Sequence, residues 1–106
     1  MSKYLVQVNY VGEGVKGLLK DGGSKRRAVT EKLIKSVGGS LDAYYYAFGD
    51  TDLYIIVDFP NHAAVTACVL TVNATGTVSV KTTVLLPPEE VDAAGRLTPT
   101  SSAPGK

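Results

Sequence analysis

The chain has no tryptophan and only one cysteine, one histidine and one methionine in 106 residues. A single thiol cannot close an internal disulfide. Cys68 with His62 also falls short of a Cys/His zinc cluster, so disulfide scaffolds and zinc fingers are excluded. No Gly-x-Ser-x-Gly elbow occurs, and one histidine limits any triad to one geometry. No motif implies a cofactor, and no residue group implies a metal. No apolar run approaches the roughly 18 residues of a membrane span. Met1-Ser2-Lys3-Tyr4 enters an alternating segment directly, without a charged n-region or an apolar h-region, so a reducing cytoplasm is the expected compartment. Asn73-Ala74-Thr75 fits a glycosylation sequon and is read as chance in that setting. An excess of one charge is missing too. Lys plus Arg number 11 against 10 for Asp plus Glu, which removes the electrostatic case for nucleic acid or an anionic membrane as partner.

What is present is the composition of one soluble domain, 44% hydrophobic and 20% charged. A chain of this size buries roughly two-thirds of its unfolded surface, enough for one core. A deep pocket within one subunit is not expected on that scale, and a sizeable cavity is expected to need two copies.

Lys3 to Val11 alternates with the period of a strand. Gly12-Glu13-Gly14 breaks it, and Val15 to Lys20 predicts a short helical turn before Asp21-Gly22-Gly23 interrupts again. Ser24 stands where a helix N-cap belongs. Lys25 to Val37 follows, with Val29, Leu33 and Val37 four apart and Gly38-Gly39 closing the helix. Leu41 to Phe48 and Leu53 to Phe59 read as two strands of a hairpin around Gly49-Asp50-Thr51-Asp52. His62 to Asn73 predicts a helix capped by Asn61, and Thr77 to Leu86 a fourth strand. Beyond Pro87-Pro88 one acidic turn is expected over Glu89 to Asp92. The domain is therefore placed at residues 1–92, with a flexible Pro/Ser/Thr-rich tail over 93–106.

Strand, helix, strand, strand, helix, strand is the α+β, ferredoxin-like βαββαβ order, with a four-stranded antiparallel sheet covered by helices on one face. Alternation assigns Val6, Val8, Ala43, Tyr45, Ile55, Val57, Val78, Val80 and Val84 to the helix side. The other face then receives Leu5, Gln7, Asn9, Tyr44, Tyr46, Phe48, Tyr54, Ile56, Asp58, Lys81 and Thr83. Four aromatics and two aliphatics make a patch of the kind that marks an interface, so a second copy of the chain is expected there.

These residues resemble the GYD family, small bacterial proteins of the dimeric α/β-barrel group. The resemblance runs from Lys3 to Val91. It rests on the opening strand, Gly14-Val15-Lys16-Gly17-Leu18-Leu19-Lys20, Arg26 or Arg27 early in the long helix, Gly38-Gly39, the aromatic strand, the hairpin and Pro60-Asn61. In the name-giving motif only Gly49 and Asp52 match, and Thr51 stands in place of the tyrosine. The resemblance implies a fold and a dimeric barrel assembly. Its wider group includes cofactor-free oxygenases and ligand-binding regulatory modules whose ligands occupy a cleft between sheet and helices.

Candidate chemistry is sparse. Gly12-Glu13-Gly14-Val15-Lys16-Gly17 has the G-x-G-x-x-G spacing, but Gly22-Gly23 breaks the segment and the following strands read antiparallel, against a dinucleotide site. Lys25-Arg26-Arg27 opposes the helix macrodipole, and Arg26 or Arg27, whichever points inward, suits a carboxylate or phosphate. Asp50 and Asp52 have the spacing for a cation but read first as turn residues. Asp58, amid an apolar strand, needs a partner or a raised pKa, and Lys81 is the expected partner. His62 is a candidate general base at the start of the second helix. Tyr44, Tyr46 and Tyr54 either line an aromatic pocket or pack a dimer, and Cys68 reads as a small core residue.

Two functions stay open on these residues, with a purely structural role as a third. One is a homo-oligomeric module binding a small organic or anionic ligand between sheet and helices. The other is a cofactor-free enzyme on an aromatic or enolisable substrate, with His62 or Asp58 as base and Asn9 or a tyrosine orienting the substrate.

Overall fold

The computed structural model describes residues 1–105. Four strands, β1 (Ser2–Tyr10), β2 (Ser40–Tyr46), β3 (Leu53–Phe59) and β4 (Val78–Leu85), alternate with α1 (Gly14–Asp21), α2 (Gly23–Ser36), α3 (His62–Asn73) and a terminal α4 (Pro88–Gly95). The sheet order is β2-β3-β1-β4, with every neighbouring pair antiparallel. This is the ferredoxin-like α+β arrangement that the order of apolar periodicities predicts. The core lies between the sheet and helices α2 and α3. Tyr4, Val57 and Phe59 are its most completely buried large side chains, joined by Ile34 from α2 and Val65 and Cys68 from α3. Tyr4 and Phe59 meet edge to face at 6.0 Å, the geometry aromatic quadrupoles favour.

Helix α3 starts where Asn61 caps it, accepting a hydrogen bond from the Ala64 N–H at 2.9 Å. Ser24 is not a cap. Gly22, at φ +86°, turns the chain so tightly that α2 begins at Gly23, and Ser24 lies inside the first turn. The turn expected over Val15 to Lys20 is a full two-turn helix, and the acidic turn near Glu89 extends to Gly95, across the boundary expected after residue 92.

One irregularity changes which side chains face the core. In the pairing of β2 with β3, Leu41 lies opposite Val57 and Ala43 opposite Ile56, leaving Asp42 as an extra residue. This β-bulge reverses the inward and outward alternation beyond it. Tyr44 and Tyr46 therefore turn toward the helices opposite Ile55 and Leu53, while Tyr45 stands 71% exposed on the open face opposite Tyr54. The expected assignment of Ala43 and Tyr45 inward, and Tyr44 and Tyr46 outward, is thus inverted. Strands β1, β3 and β4 keep the expected alternation. None of the helices among the described residues is long and apolar enough to cross a membrane.

Candidate functional site

A cavity of about 370 Å³ lies between the sheet and the helices of one chain, at the lower end of the ~300–1,000 Å³ typical of ligand pockets. The expectation that a cavity needs two copies fails here because α1 and α2 bridge over the sheet without filling it. Gly14 and Gly17 present no side chain to the space, and only Leu18 of α1 carries an apolar one into it. Val6, Val8, Leu33, Ile55, Val65 and Val80 form much of the wall. Its polar groups come from few places, among them Tyr10 at the end of β1, Asp21 closing α1, Arg26 and Thr30 on α2, and Tyr44 on β2.

Arg26 rather than Arg27 points inward. Its backbone N–H donates to the Gly22 carbonyl at 3.2 Å, and its own carbonyl accepts from the Thr30 hydroxyl at 2.9 Å. The guanidinium stands 3.5 Å from the Asp21 carboxylate, which Lys25 also approaches at 3.6 Å. Beside it the tyrosines form a cluster. The Tyr46 hydroxyl donates to the Gly23 carbonyl at 3.2 Å and lies 3.3 Å from the Tyr44 hydroxyl. Burial raises the pKa of Tyr44, Tyr46 and Tyr10 above the ordinary tyrosine value, while the Arg26 charge works the other way at all three. The hydroxyls stay protonated at neutral pH, so the charged groups at this end of the cavity are Arg26 and its neighbour Asp21.

The other predicted site residues lie elsewhere. Asn9 binds the hairpin loop, donating to the Asp50 carbonyl at 3.3 Å and accepting from the Asp52 N–H at 2.8 Å. The Asp52 carboxylate accepts from the Tyr10 N–H at 2.9 Å, and Thr51, in place of the motif tyrosine, is buried with its hydroxyl 3.1 Å from the Gln7 amide. Gly49 sits in the exposed loop with no atoms near its α-carbon face. Among the described residues no group of His, Cys, Asp or Glu is placed to hold a metal ion.

Asp58 pairs with Lys3, not Lys81. The register sets Lys3 directly opposite Asp58, with Nζ 2.8 Å from the carboxylate, and places Lys81 opposite Gln7. Lys3 also binds Asp42 of the bulge. The hydrogen bond from Lys3 lowers the Asp58 pKa against a smaller opposing desolvation. His62 is exposed at the start of α3, its Nδ1 2.5 Å from the buried Tyr4 hydroxyl. Tyr54 is 37% exposed on the open face. None of His62, Asp58, Asn9, Tyr46 and Tyr54 lines the cavity, although Tyr46 touches Tyr44, which does.

Sequence reasoning missed Tyr10, Asp21 and Thr30. Tyr10 and Thr30 had a usable signal: each falls in phase with inward residues of its own element, Val6 and Val8 on β1 and Arg26 and Leu33 on α2. Asp21 had none, because its place depends on the Gly22 turn.

A ferredoxin-like α+β domain, with a ligand-sized cavity under its helices, is the class that the fold and this site define. The chain belongs to the GYD domain family, whose model matches residues 4–94. No curated protein and no solved structure matches it.

Proposed function

We propose that the protein is a homo-oligomeric module that binds a small organic ligand in the cavity between sheet and helices, with a second copy on the open sheet face. The observation that carries the ligand reading is the cavity, an apolar volume of about 370 Å³ with Arg26, Asp21 and Tyr44 gathered at one end. A mostly apolar wall with a few convergent polar groups is the usual anatomy of a small-molecule site. The assembly reading rests on Leu5, Tyr45, Tyr54 and Ile56, which the register places together on the uncovered face. That face has lost Tyr44 and Tyr46 to the helix side but gained Tyr45.

The enzyme reading is not supported by the bases expected for it, since His62 and Asp58 both lie outside the cavity. A thermal-shift screen with aromatic acids tests the ligand reading: a concentration-dependent rise in Tm is expected, and a flat response across the series counts against it. Light scattering at micromolar concentration tests the assembly, where a monomer overturns it and a Tyr54→Lys variant is expected to dissociate.

A further inference from the structure

Resting on the ligand reading above, the geometry points to an apolar monocarboxylic acid as the occupant, of the size of one aromatic ring with a short side chain, its carboxylate gripped by the Arg26 guanidinium.

Three observations fix the class. First, Arg26 is the one cation among the described residues that line the cavity, so an anionic head group held there is one that a single guanidinium can grip. Its 3.5 Å separation from Asp21 exceeds the ~2.7–2.9 Å of a charge-assisted hydrogen bond, and Asp21 is shared with Lys25. The planar fork is therefore only loosely engaged and can take a carboxylate through two parallel bonds. Second, the tyrosine hydroxyls beside it are uncharged and none supplies Arg26 with a counter-ion; Tyr46 is committed to the Gly23 carbonyl.

Third, Asp21 and Glu13 also line the cavity. A phosphate dianion would meet two carboxylates with a single guanidinium to hold it, whereas a monoanion balances that guanidinium and leaves Asp21 to Lys25 and Glu13 to Lys16, 2.8 Å away. Much of the remaining wall, with Val8, Leu33, Ile55 and Val65, offers the body of the ligand apolar contact.

The test compares acids with uncharged isosteres. The full chain is titrated with 3-phenylpropionate, 3-phenylpropionamide, hexanoate and hexanamide, following backbone amide NMR signals of Val8, Leu33, Ile55 and Val65. Each acid is expected to bind at least about tenfold more tightly than its amide, the difference a charged bidentate contact supplies. Arg26→Gln is expected to erase that preference by weakening binding of the acids about tenfold or more, and Arg26→Lys to keep part of it. Equal binding of acid and amide at these signals overturns the carboxylate assignment and leaves the ligand reading standing. If no compound moves the cavity signals at millimolar concentration, the ligand reading falls and this inference with it. The wild-type comparison decides between these outcomes even if a variant does not fold.

Discussion

The Asp52 carboxylate accepts a hydrogen bond from the Tyr10 backbone N–H at 2.9 Å, fastening the hairpin loop to the end of the first strand. Asn9 completes the clasp by accepting from the Asp52 N–H. The one acidic residue that matches the family's hairpin motif is thus a positioning residue, because Tyr10 lines the cavity and its backbone is held from the loop. Asp52→Ala is expected to cost about 1.5–3 kcal/mol in urea denaturation, the range for a hydrogen bond to a charged group. Asp52→Asn, which keeps an acceptor oxygen, is expected to recover much of that loss.

Gly14 and Gly17 belong to the glycine spacing that imitates a nucleotide fingerprint, and they respond differently to a side chain. A β-carbon at Gly14 would stand 2.2 Å from the Thr77 carbonyl oxygen and 3.0 Å from the Tyr10 ring, whereas at Gly17 it meets nothing within 4 Å. Gly14→Ala is expected to destabilise by about 1–3 kcal/mol through overpacking. Gly17→Ala, in an open position of α1, is expected to stabilise by about 0.5–1 kcal/mol through helix propensity. Paired thermal melts check both, and equal effects would contradict the close approach of α1 to Thr77, just ahead of β4.

Tyr44 gives the fold an alkaline limit. Burial, followed by its hydrogen bond with Tyr46, raises its pKa above the unfolded value near 10. A raised folded pKa means that the folded state holds the proton more tightly. The contribution to stability is therefore complete below about pH 10 and is lost as pH rises through the folded value. Denaturation midpoints between pH 8 and 11 are expected to fall at the alkaline end, and less steeply in Tyr44→Phe.

Asp58 sets an acid limit of opposite sign. Lys3 lowers its pKa below the unfolded carboxylate value of about 3.9, so its contribution is present above that value and is lost as pH falls through the folded one. Because the pair is solvent-accessible the effect is small. Asp58→Asn is expected to flatten the stability profile between about pH 5 and 2 and to leave neutral stability nearly unchanged.

The sequence by itself determined the order of strands and helices, the Asn61 cap, the burial of Cys68 and the inward phase of β1 and β3, because each follows from local periodicity or a side chain bonding its own backbone. It also narrowed the basic cluster to Arg26 or Arg27. Only the tertiary structure decided which tyrosines of β2 face the helices. The bulge at Asp42 sets Leu41 opposite Val57 and Tyr44 opposite Ile55, a register shared with another strand and invisible in β2 alone. The same holds for Asp58, whose partner is set by register with Lys3, and for the cavity, which exists because two helices separated by Gly22 span a sheet they do not fill. Local chemistry is written residue by residue, whereas register and enclosed volume are properties of several segments at once.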